Sequence, residues 1–183
     1  MMIYWDKSDT LWELALSKVD THLVVMFFKP SLALSVVASV LNIPDVYHTM
    51  LLYKPDGHNL PLLEGTTGVG IELTVVGAYR DTTLLGIAIL DLPPPQVIYL
   101  HGCRACVTRA PVLWETYAKM YGPCNPIVRY LLRWFPPGDN EMTCCGYILH
   151  RVLGYNHLAC RNVTHYTLLQ TLEEYEHALS EHH

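Results

Sequence analysis

The sequence predicts an α+β domain in which an antiparallel sheet packs against helices. Three observations lead there. Residues 47–90 repeat short strand-like apolar runs separated by turn residues. The stretches on either side carry apolar residues at helical spacing. Of the 183 residues, 51% are hydrophobic and 16% charged, which is ample for one buried core.

Taken in order, Ser8 or Asp9 can cap a first helix to about Lys18, with Leu11, Trp12, Leu14 and Ala15 at helical spacing. Thr21 to Phe28 reads as a buried strand. Pro30 and Ser31 open a second helix through Leu41, stopped by Asn42 and Pro44. That helix is apolar nearly all round, so burial in the core is expected of it. Four strand-like runs follow: Tyr47 to Tyr53, then, after a Pro55-Asp56-Gly57 turn, Leu60 to Glu64, Gly70 to Val76 and Leu84 to Leu90. Pro93-Pro94-Pro95 closes that section, and helices are expected at Ala110 to Tyr121 and Asn125 to Phe135. After the loop Pro136 to Asn140, a helix from Cys145 to Leu153 ends at Gly154, a natural C-terminal cap, and Thr164 to Leu179 forms a charged, solvated last helix. With no repeat and no linker, one domain spans 1-183.

Charge narrows the function. Twelve Lys and Arg against 17 Asp and Glu leave −5, so the basic footprint of a nucleic-acid binder is missing. The longest apolar stretch, Leu32 to Leu41, falls well short of the roughly 20 residues of a transmembrane segment. Asp6, Lys7 and Asp9 occupy the place of an export signal's apolar run, so a cytoplasmic protein is expected, with its six cysteines as free thiols.

One of those thiols carries the candidate chemistry. Ile148, Leu149, Val152 and Leu153 follow Cys145 at plus three, four, seven and eight, so Cys145 lies on the apolar face of its helix, in the first turn. The free amides and macrodipole of a helix start stabilise a thiolate, and the Cys145 amide can donate to an oxyanion. An inert core thiol is the competing reading. His48 supplies a base at the rim of the sheet. A three-residue loop centred on Asp56 would place Glu64 opposite His48, where its carboxylate would hold the imidazole. A two-residue Asp56-Gly57 turn would shift the partner by one and lose this, and Pro61 cannot donate to the ladder. In the three-residue case Cys145, His48 and Glu64 would be nucleophile, base and orienter. On that reading Glu64→Gln leaves the fold intact and depresses turnover.

A resemblance adds to this. Thr21 to Phe28, Pro30 to Ser35 and the Tyr47-His48-Thr49-Met50-Leu51-Leu52-Tyr53 run resemble the start of the circularly permuted NlpC/P60 papain-like proteins, where a strand and helix lead into a histidine strand. Leu62-Leu63-Glu64-Gly65 with Gly68 to Leu73 resembles the strands that follow, and Thr143 to Arg151 resembles the cysteine helix. The histidine strand precedes the cysteine helix, as in the permuted bacterial and poxviral members. The similarity covers about 21-155, leaving the first helix and the last, about 164-180, outside it. It implies a papain-like core using Cys145, His48 and Glu64, no cofactor, and hydrolysis or acyl transfer on a peptide, amide, ester or acyl-lipid substrate. For a viral protein it implies the host cytoplasm or the virion. A silent papain-like binding or structural protein is the alternative. Thr49-Met50 departs from the Val-Gly that usually follows the histidine. Cys144 would fit a "Cys-Ser-Gly" variant of the motif, but it turns Leu149 and Val152 off the favoured face, so the face argument selects Cys145. Peripheral contact of the apolar 31–41 helix with lipid is compatible with the pattern.

Other motifs rank lower. Cys103-Arg104-Ala105-Cys106 is half a zinc or redox site, with Cys124, His150 or His157 reachable only by tertiary accident, so no metal is expected. His165-Tyr166-Thr167 matches half of a two-histidine phosphoesterase signature, and Gly65 to Gly70 lacks the lysine and helix of a phosphate loop, reading instead as a hairpin turn. Twelve tyrosines with Trp114, Trp134 and Phe135 suit core or pocket wall better than nucleic-acid stacking on a negative chain.

Overall fold

A run of buried β-branched, aromatic and other apolar residues, Leu23 to Phe28, forms the middle of the molecule because both of its faces are covered. In a computed structural model the described residues are 1–30, 32, 36, 39–40, 47–55, 59–67, 70–92, 122–124, 141–155 and 163–181. Among these, strands β1 (Met2–Trp5), β2 (Leu23–Phe28), β3 (His48–Tyr53), β4 (Leu62–Thr67), β5 (Gly70–Val75) and β6 (Leu84–Leu90) form one sheet in the order β1-β6-β2-β3-β4-β5. Every neighbouring pair is antiparallel. Helix α1 (Ser8–Lys18) lies on one face, and α2 (Cys144–Leu153) with α3 (His165–Glu181) on the other. A short parallel pair, β7 (Gly122–Cys124) and β8 (Glu141–Thr143), leads directly into α2.

The period-two pleat separates two cores. Val24, Met26, Phe28, Met50, Leu52 and Leu63 meet Leu11, Trp12 and Ala15 of α1. Leu23, Val25, Phe27, Leu51 and Tyr53 meet Tyr147, Ile148 and Leu149 of α2, and Leu168 and Leu172 of α3 close the same cluster. The helical spacing read for α1 is thus its sheet-facing stripe. Ser8, expected as a cap, instead accepts the Leu84 amide at 2.9 Å, tying α1 to β6. Gly154 ends α2 as expected, with φ 69° and its amide on the His150 carbonyl at 3.0 Å. Thr164 caps α3 through the Thr167 amide at 3.4 Å.

Three readings change. The opening residues, taken only as a segment unlike an export signal, form edge strand β1 against β6. Gly65 to Thr67, read as turn, continue β4, and the β4–β5 hairpin closes at the Thr67–Gly70 pair. Gly65 belongs inside the strand because a Cβ there would lie 3.0 Å from Met50 Cγ, so the Met50 side chain takes the vacant space. In the stretch expected as a buried helix, Leu32, Val36, Ser39 and Val40 are helical, but Leu32, Val36 and Val40 are exposed. Val36, Ser39 and Val40 stand four, seven and eight residues on from Leu32, so these positions share one stripe of a helix, and that stripe faces solvent. The rest of that stretch, the expected helices 110–121 and 125–135, the Asp56-Gly57 turn, and Cys103 and Cys106 lie outside the described residues. No helix among the described residues is long and apolar enough to cross a membrane.

Gly86 is set by a neighbour. It pairs with Trp5 on one side and Phe27 on the other, and a Cβ there would stand 2.3 Å from the Trp5 ring. Gly86→Ala is expected to lift the half-exposed indole off the sheet and cost about 1–3 kcal/mol, the range for overpacking. Denaturant unfolding with the Trp5 indole NMR signal checks this. An unmoved indole with unchanged stability refutes it.

Candidate active site at the head of helix α2

The site is assembled where β3 begins and α2 begins. Tyr147 and Arg151 stand three and seven residues after Cys144, so the three share one stripe of α2. Tyr147 Oη donates to Glu64 Oε2 at 2.9 Å. Arg151 grips the same carboxylate with two N–H groups, Nε to Oε2 at 2.5 Å and Nη2 to Oε1 at 3.0 Å. Tyr53 Oη donates to Oε1 at 2.8 Å. Glu64, fully buried in β4, therefore accepts four hydrogen bonds, and the bidentate geometry is that of a strong, specific ion pair. Burial works against the Arg151 cation, but the Glu64 charge and hydrogen bonds outweigh it and keep the guanidinium protonated above its ordinary range. Burial, then the Glu64 charge, pushes the Tyr53 hydroxyl well up, so it stays a neutral donor.

This arrangement corrects the expected partner of His48. Glu64 pairs with Leu51, not with His48. Proline lacks the donor a ladder needs, and β3 and β4 part between Pro55 and Pro61, with the last pair at Tyr53–Leu62. The register therefore differs by three from the one expected. An odd shift changes face as well as partner. Glu64 falls with Leu51 and Tyr53 on the α2 side, whereas the pleat sets His48 with Met50 and Leu52. Its four hydrogen bonds go to Tyr53, Tyr147 and Arg151, so it orients α2 and not the imidazole.

His48 opens β3 at the end of the sheet, paired with Phe28, their rings 6.5 Å apart. Phe27 pairs with Gly86 but Phe28 with Leu84, so an extra residue, Leu85, bulges β6 opposite Phe28, whose other neighbour is His48. Here α2 presents two thiols in different settings. Cys145 Sγ lies 3.4 Å from Thr49 Oγ1. Cys144 Sγ lies 3.8 Å from the Tyr47 carbonyl oxygen. The Cys144 pKa is driven well below the usual thiol range, chiefly by hydrogen bonding from Cys145 and against the effect of burial, with further help from the His48 ring and the Thr49 backbone. Cys145 moves the other way: sharing its proton with Cys144, burial and the Cys144 charge all raise it. The two thiols thus move in opposite directions, Cys144 down and Cys145 up. Both side chains are nearly closed to solvent, 3% and 4% exposed.

Of the two sulfurs at the head of α2, the one that the His48 ring influences is Cys144, not the expected Cys145. The face argument rested on Ile148, Leu149, Val152 and Leu153 and gave Tyr147 and Arg151 no part. A carboxylate on the sheet turns that polar stripe inward, and Cys144 with it. The spacing Cys144, Tyr147, Arg151 together with an acidic residue in a buried strand was the available signal. No group of three potential metal ligands occurs among the described residues. No family model, curated protein or solved structure matches the chain.

Proposed function

We propose that the protein is a thiol-dependent hydrolase or acyltransferase of papain-like, permuted NlpC/P60 type, with Cys144 as nucleophile and His48 as its acid–base partner. The observation that carries this reading is the lowered Cys144 thiol beside an imidazole at a helix start. The Cys144 sulfur would attack the carbonyl carbon of an amide or ester, while amides of the first turn of α2 stabilise the oxyanion. The C–N or C–O bond then breaks, and the leaving group takes a proton from His48. Water, or a second acceptor, gives a proton back to His48 as it attacks the thioester, and the thiolate leaves. Cys145 supports the thiolate with its S–H and does not itself attack.

A second reading, a silent papain-like binding protein, has the low exposure of both sulfurs in its favour. Thiol alkylation separates the two. A group whose pKa is lowered keeps its charge as pH falls through the ordinary value, about 8.5 for a thiol, and loses it only at its own lower pKa. Alkylation of Cys144 by iodoacetamide is therefore expected to titrate below that value, and Cys145 above it. His48→Ala should move the Cys144 profile upward. Slow labelling of both cysteines with ordinary thiol titration would favour the silent protein.

A further inference from the structure

Beside the thiol pair runs a ledge of rings. Trp5, Gly86, Phe27 and Thr49 form one cross-strand row, and Thr49 touches Cys145. Because Gly86 has no side chain, the Trp5 ring lies over it and stacks on Phe27, centroids 5.7 Å apart and planes 26° apart. Tyr47 joins both rings, 5.6 Å from Trp5 and 5.9 Å from Phe27. His165 meets Tyr47 edge-on at 4.9 Å and 89°, and Tyr166 follows at 3.9 Å. Phe27 is fully buried beneath, whereas Trp5 is 51% and Tyr166 61% exposed. The ledge is continuous with the reactive group, since Tyr47 directly precedes His48 and its carbonyl faces Cys144 Sγ.

We infer that this ledge is a subsite for an aromatic group of the carbonyl substrate. The inference rests on Cys144 being the nucleophile. Rings at 4.9–5.9 Å with stacked, tilted and edge geometries offer a further ring the offset and edge contacts that aromatic pairs favour. Adjacent strands lie about 4.8 Å apart, so the row from Thr49 to Trp5 spans roughly 14 Å. With the Trp5 ring reaching back to Phe27, an aromatic group a few bonds from the scissile carbonyl would meet the ledge while the carbonyl meets Cys144.

Three chloroacetamides of equal intrinsic reactivity, N-phenylethyl, N-cyclohexylethyl and N-ethyl, test this. In each, Cys144 Sγ displaces chloride and forms a thioether, read by peptide mass spectrometry. The phenylethyl probe is expected to label Cys144 on the order of fivefold faster than either other probe, the size an aromatic pair of about 1 kcal/mol supplies. The ratio should fall toward one in Trp5→Ala and in Tyr166→Ala, the latter at a surface position where folding is not at stake. Trp5→Phe should retain most of it. Equal rates for phenylethyl and ethyl, or a preference that survives both alanine variants, would overturn the ledge and leave the nucleophile standing. Equal rates for phenylethyl and cyclohexylethyl would overturn its aromatic character. Failure of every probe to label Cys144 would remove the nucleophile, and the ledge with it.

Discussion

Glu64→Gln is expected to lower folding stability by about 3–5 kcal/mol, the cost of stripping a buried ion pair of one partner. The Arg151 side chain is 5% exposed and that of Glu64 not at all, so the guanidinium left behind has no water to replace the carboxylate. Tyr53 and Tyr147 lose the charge on their shared acceptor at the same time. Urea unfolding measures the loss directly. A paired change, Glu64→Leu with Arg151→Met, should recover part of it, because an apolar pair leaves no buried charge, although two hydroxyls remain to be satisfied. A loss under about 1 kcal/mol for Glu64→Gln would mean that the pair does not hold α2 to the sheet. This expectation reverses the one drawn from sequence, where the same substitution spared the fold and slowed turnover. The difference is one of register: a carboxylate opposite His48 would tune a ring, whereas a carboxylate opposite Leu51 anchors a helix.

Cys144→Ala is expected to abolish turnover in a screen of acyl substrates, by about 10⁴-fold or more, as removal of a covalent nucleophile does. Cys145→Ala should behave differently. It takes away the largest influence holding the Cys144 thiol low, so activity should survive but shift to higher pH. Cys145→Ser, whose hydroxyl can still donate, should bring the profile back down. The pH–rate profiles of the three variants check this. If Cys145→Ala loses as much activity as Cys144→Ala at every pH, the roles of the two sulfurs are exchanged.

Much of the sheet was legible in the chain. Strands β2, β3 and β6 were legible as apolar, strand-like runs and α1 through helical spacing, whereas α3, read from its charges as a solvated helix, buries Leu168 and Leu172. Edge strand β1 escaped notice because Met2 to Trp5 is short, and three of its four residues are largely exposed, leaving no buried alternation to read. His48 and a cysteine at the head of α2 were both nominated from local pattern alone. The choice between the two cysteines was not local. Amphipathicity gives Tyr147 and Arg151 no part, and only a partner on another strand supplies one.

The sequence by itself determined an antiparallel sheet between helices, a histidine at the start of one strand and a pair of thiols at the start of one helix, because periodicity and capping act over a few residues. Tertiary structure decided which sulfur the histidine influences and what Glu64 does. Both depend on the register of β3 against β4 and on the rotation of α2, and these are fixed by two prolines that end the pairing and by a buried Glu64–Arg151 contact spanning 87 positions of the chain.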